Sequence, residues 1–158
     1  MRKSLLRLKQ SFVLAFAMLA AIGASAQTQI TDEAGLKAIA NDLAGSYVLA
    51  NDITLSEQWT PISTFTGTLD GAGHAIKGLR IAGGSPTGLF GETDGATIKN
   101  LRVVEAKVAD WGSSKKAGII VGWAKNTTIE ACFTSGVVEG NDHVGGIIGR
   151  LEGTMKNC

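Results

Sequence analysis

The 158-residue chain carries 15 Lys and Arg against 14 Asp and Glu, with 44% hydrophobic residues, 18% charge and 21 glycines. This composition excludes a highly charged disordered tail, supplies no basic excess for nucleic acid, and fits one compact domain. The two cysteines, Cys132 and Cys158, form no CxxC pair of the metal-binding kind.

The first ten residues, MRKSLLRLKQ, contain Arg2, Lys3, Arg7 and Lys9 and no acid, and are followed by an apolar run from Phe12 to Ile22 and by Ala24-Ser25-Ala26. That order predicts a secretory signal peptide over 1–26. The apolar run is about a dozen residues long, short of the roughly 20 needed to span a bilayer. No cysteine lies near the cut, so a lipoprotein anchor is not expected. Cleavage removes four of the 15 basic groups and none of the 14 acids, leaving 11 against 14. The expected location is the periplasm, the cell surface or the medium, with disulfide formation permitted there.

Residues 27–55 are expected to form a capping element. Thr31 to Leu43 reads as a short helix capped by Thr31, with Asp32 and Glu33 in its first turn and Leu36, Ile39, Ala40 and Leu43 on one face. Gly45 is a plausible stop. The pattern then changes to short β-type runs, YVLANDITL and WTPI, with Trp59 expected to pack over the first coil.

Residues 56–158 repeat. IKGLRI at Ile76, IKNLRVV at Ile98, IEACFTSGVV at Ile129 and MKNC at Met155 share an apolar residue, a charged one, a small or amide one and then Leu or Cys, at intervals of 22, 31 and 26 residues. A glycine element precedes three of them: TGLFG from Thr87, AGIIVG from Ala117 and VGGIIG from Val144. Constant spacing inside the unit with variable spacing between units predicts stacked coils with loops of differing length. Ile76, Leu79 and Ile81 cannot all face inward without a bend. The repeated glycines predict a column where neighbouring coils approach closely. The expected fold is all-β, a parallel β-helix of about four to five coils with a short N-terminal helix as cap, roughly 20 Å tall at about 4.8 Å per coil.

FTGTLDGAGHAIKGLRI, TGLFG, IKNLRV, AGIIVG, CFTSGVVEG and VGGIIG together resemble the GLUG repeats of exported bacterial proteins, which also occur beside peptidase domains specific for immunoglobulin A. The resemblance covers Trp59 to Cys158. It implies a right-handed parallel β-helix used on bacterial surfaces. The HExxH zinc motif of the associated peptidases is absent, since the two histidines, His74 and His143, lack that spacing. The protease activity therefore does not carry over.

Candidate chemistry is sparse. Asp70 and His74 in LDGAGH suit an acid–base pair or metal, but Asp-Gly is first a turn signal, and Asp142-His143 reads as a loop in the same way. Asp110, Glu130, Glu139 and Asp142 would have to converge to about 5 to 10 Å to cleave a glycan, and dispersed surface charge is the plainer reading. Trp111, Lys115 and Lys116 lie in VADWGSSKKAG, the stretch that lengthens one coil; such an insertion is the candidate ligand-binding loop, and otherwise its tryptophan folds back over the coil. Trp123 is expected outward on a turn, and Asn126-Thr127-Thr128 as a loop. An ice-binding helix would need a threonine ladder, and Thr64, Thr66 and Thr68 give only one row. Cys132 and Cys158, at equivalent positions 26 residues apart, are expected to stack as two small buried groups without bonding.

No catalytic residue, metal site or cofactor is assigned. The expected function is a non-enzymatic exported repeat module for adhesion or spacing, with host glycoprotein or glycan as partner; the alternative is a glycan-binding or glycan-cleaving β-helix. VGGIIGRLEGTMKNC reads as an incomplete C-terminal coil, so truncation and self-association through an open sheet edge are expected.

Overall fold

The computed structural model describes residues 26–111 and 116–158. The signal-peptide run up to Ser25 and candidate residue Lys115 lie outside the described residues.

β1 (Thr28–Ile30) leads into α1 (Glu33–Ala38), which a 3-10 turn (Ile39–Asn41) continues. The helix is shorter than the sequence suggests, and its cap is Asp32 rather than Thr31: the Asp32 carboxylate accepts the Gly35 N–H at 2.8 Å. A carboxylate there satisfies an otherwise orphaned donor and meets the positive helix end. Leu36 and Ile39 are fully buried, as their spacing requires. Ala40 is exposed, because the 3-10 turn has three residues per turn and rotates it off the buried stripe.

The remaining elements are strands. β2 (Ser46–Leu49), β3 (Ile53–Thr54), β4 (Thr68–Asp70), β5 (Ala75–Lys77) and β6 (Arg80–Ala82) complete the first half. β7 (Phe90–Asp94), β8 (Thr97–Lys99), β9 (Arg102–Ala109) and β10 (Lys116–Gly118) follow. β11 (Val121–Glu130), β12 (Phe133–Glu139), β13 (His143–Gly145) and β14 (Ile148–Lys156) end the series. They form three parallel stacks: sheet A, in the order β1-β2-β4-β8-β11-β14 with β7 also on β11; sheet B, β12-β9-β5-β3 with β6 on β9; and β10 on β13. The chain is a β-solenoid of about four turns.

The register corrects one expectation. Tyr47 stacks on Leu69, Leu69 on Ile98, Ile98 on Ile129 and Ile129 on Met155. Ile76 belongs to sheet B, between Ile53 and Val103. IKGLRI therefore lies on VVEAKV, not on IKNLRV. Both corners of a turn share one pattern: an inward apolar residue, an outward one that is charged everywhere except at Val104, then a residue in the left-handed region. Gly78 (φ 74°) and Glu105 (φ 56°) take that place at one corner, Asn100 (φ 52°), Ala131 (φ 50°) and Asn157 (φ 52°) at the other. Gly78 is also the bend that lets Ile76, Leu79 and Ile81 all point inward, where each is buried.

The glycine column forms as expected. Thr87, Ala117 and Val144 are in register, as are Phe90, Val121 and Ile148. A Cβ on Gly88 would lie 2.7 Å from the Gly118 carbonyl oxygen, and one on Gly149 2.6 Å from the Ala117 nitrogen. Between the sheets runs an aromatic column: Phe65 and Phe90 stack with centroids 4.7 Å apart, and Tyr47 tilts onto Phe65 at 6.3 Å. Trp59 is buried as expected, its indole N–H donating to the Leu89 carbonyl at 2.9 Å. Each such ring contributes about 1.5–3 kcal/mol by leaving water. On the last rungs Phe133, Val137, Val144, Leu151 and Met155 are exposed. Cys132 is buried, but Cys158 is exposed, contrary to expectation; its sulfur backs onto the Cys132 N–H at 3.5 Å, and no described strand covers its other side.

Candidate functional site

Asp70 serves the turn. Its carboxylate accepts the Ala72 N–H at 2.8 Å and the Asn100 amide at 3.0 Å, and pairs with Lys99 at 3.2 Å. Burial pushes its pKa up, but these hydrogen bonds and the lysine outweigh burial and hold it below the ordinary value. His74 turns instead to Asp52, 3.5 Å away. The four acids considered for glycan cleavage sit on separate elements. Asp110 is fully buried after β9, Glu130 ends β11, Glu139 ends β12, and Asp142 lies in the bend before β13 beside His143. Among the described residues, no three His, Cys, Asp or Glu side chains form a cluster able to hold a metal.

Trp111 is 66% exposed, so its ring does not fold back over the coil. Lys116 begins β10, at the end of the inserted stretch, and its ammonium lies 4.2 Å from the centroid of Trp123. Trp123 is within β11 rather than on a turn, between Glu92 of β7 and Arg150 of β14. Lys125 lies 3.7 Å and Arg150 5.3 Å from the same ring centroid. The indole N–H donates to Glu152 at 3.2 Å, Arg150 pairs with Glu152 at 2.8 Å and Lys125 with Glu92 at 2.7 Å. This cation–π and ion-pair cluster stiffens the outward face of sheet A, and most of its charges are already matched.

The outward columns of sheet A follow a rule. Asp70, Lys99, Glu130 and Lys156 succeed one another along the axis with alternating sign, as do Asp94, Lys125 and Glu152. Beside the first column runs a hydroxyl ladder of Ser46, Thr68, Thr97, Thr128 and Thr154. The threonine ladder thus exists, but not in the Thr64-Thr66-Thr68 row, and the charged column beside it breaks the flat uncharged plane that ice requires. Asn126 is a bulge in β11 rather than a loop, with φ 45° and a register shift between Lys125 and Thr127.

Sheet B breaks the rule. Arg80 stacks directly on Lys107, and Ala82 on Ala109. Aligning IKGLRI on IKNLRV sets Arg80 over Arg102, whereas its partner in the fold is Lys107, five residues further along β9.

Halomucin of Haloquadratum walsbyi is 35% identical to the chain over an alignment of 147 residues, gaps included, that covers 78% of this chain and 2% of halomucin. The chain thus spans a small fraction of the length of the curated relative it matches. No family model matches it, the GLUG repeats included, and no solved structure matches it.

Proposed function

We propose that the chain is a non-enzymatic, exported β-solenoid module of a surface-type protein, acting in spacing and adhesion. The observation that carries this reading is the self-matched exterior of sheet A, where charges alternate along the axis and close on one another around Trp123. Such a face makes a stiff rod of stacked coils. Similarity to halomucin, a mucin by name, supports the surface setting. Among the described residues no helix is long and apolar enough to cross a membrane. The test is to incubate the full chain with a panel of host glycoproteins and glycans. Saturable binding without new reducing ends or cleaved peptide is expected; reproducible turnover of any panel member would overturn the reading.

A further inference from the structure

Across the outward face of sheet B, two clefts of about 320 and 300 Å³ lie side by side and share Lys107. The first is lined by Ser56, Glu57, Gln58, Arg80 and Ala82, the second by Ala109, Val137 and Glu139. Arg80 and Lys107 stand on adjacent rungs and are both exposed. Like charges in direct register on neighbouring strands, about 4.8 Å apart, repel. On sheet A, by contrast, the register sets opposite charges together. Among the described residues neither Arg80 nor Lys107 has an ion-pair partner, although eight other ion pairs form.

We propose that this face binds an acidic polysaccharide lying along the solenoid axis, its anionic groups held by Arg80 and Lys107. Ala82 and Ala109, stacked beside the cations, are too short to fill the face and leave a trough between taller side chains. Val137, stacked on Lys107 and 54% exposed, offers an apolar patch to the C–H face of a sugar ring. Glu57 and Glu139, at the two ends, accept hydrogen bonds from sugar hydroxyls. An acidic peptide fits less well. It brings few hydroxyl donors to these two acids, whereas each sugar ring presents several. The inference deepens the surface-module reading, on which it rests, by naming the class of ligand.

The test uses the full chain and four polymers: polygalacturonate for carboxylate, dextran sulfate for sulfate ester, neutral dextran, and poly-L-glutamate. Binding is measured by calorimetry at low and high salt. One or both acidic glycans should bind, more weakly at high salt, while neutral dextran should not; the preferred glycan identifies the anionic group. The double variant Arg80→Gln/Lys107→Gln should lose at least tenfold in affinity, and Lys99→Gln/Lys156→Gln, with the same change in net charge, less than threefold. Ala109→Glu, which puts an acid into the trough without altering either cation, should also lose at least tenfold. Circular dichroism melting should show all three variants folded. Absence of binding to both acidic glycans, equal loss in the two double variants, equal binding of neutral dextran, or tighter binding of poly-L-glutamate would overturn the site and leave the surface-module reading standing. Depolymerisation of a bound glycan would overturn that reading while leaving the site in place.

Discussion

Thr93 and Thr127 meet hydroxyl to hydroxyl at 2.9 Å inside the solenoid, and both are buried to within 1% of full enclosure. Thr127 also donates to the Lys125 carbonyl at 2.6 Å, across the Asn126 bulge. Its proton is thereby committed, and Thr93 is the donor to Thr127. Thr127→Val should cost about 1–3 kcal/mol, because it strands the Thr93 hydroxyl in an apolar interior. Thr93→Val leaves Thr127 bonded to Lys125 and should cost about 1 kcal/mol or less. The double variant should cost less than the sum of the two, with a coupling of at least about 0.5 kcal/mol. Urea unfolding of the four proteins measures this cycle, and strict additivity would refute the pairing.

The glycine column rests on closeness rather than on torsion. A Cβ on Gly118 would lie 2.7 Å from the Gly149 nitrogen and as close to Ile148 Cα, both backbone atoms of the next coil. Gly73 has φ 82° and nothing within 4 Å of an added Cβ. Gly118→Ala should therefore cost at least about 3 kcal/mol by forcing two coils apart. Gly73→Ala should cost only the left-handed penalty of about 1–2 kcal/mol. Thermal melts of the two variants decide it, and equal losses would mean that the column tolerates a methyl group.

The coil was legible because its rungs reuse a short pattern and its glycine elements keep their spacing: Ala117 over Thr87 and Val144 over Ala117 are where the sequence puts them. The register of Ile76 was not legible. An apolar, charged, small or amide triplet occurs at both corners of a turn, as Ile76-Lys77-Gly78 and Ile98-Lys99-Asn100, and what separates them is which strand lies opposite, a property of pairs far apart in sequence. The same degeneracy hid the stacking of Arg80 on Lys107. Trp123 was readable as outward-facing, but its partners Glu92, Arg150 and Glu152 come from coils about 30 residues away and required the register first.

Two paired carboxylates, Glu33 and Asp52, make the fold sensitive to acid. Lys37, followed by the Ser56 N–H and hydroxyl, holds the Glu33 pKa at about 2. Lys77, followed by the Ala75 N–H and with a smaller share from His74, holds Asp52 at about 2 against an ordinary 3.8. A carboxylate whose pKa is lower folded than unfolded stabilises the fold while ionised. That contribution is full above about pH 5 and is lost progressively as pH falls through about 2. Asp52→Asn should melt below the parent protein at pH 6, and the gap should close on titration toward pH 2. A gap that stays constant with pH would assign the loss to packing.

The two cysteines should differ in reactivity despite their equivalent places in the repeat. Burial pushes the Cys132 thiol up to about 11, so at pH 8 about one molecule in a thousand carries the thiolate there. Cys158 is exposed on the last rung. Iodoacetamide at pH 8 should label Cys158 within minutes and Cys132 only at the rate at which the solenoid opens. Moderate urea should accelerate the second label and leave the first nearly unchanged. Thiol counting in denaturant without reductant should return two free thiols per chain, because parallel side chains on neighbouring rungs rarely reach the disulfide dihedral. Peptide mapping of the labelled protein separates the two sites. Equal labelling rates in the native state would show that Cys132 is not enclosed, and a count below two would show that the stacked pair closes a bond after all.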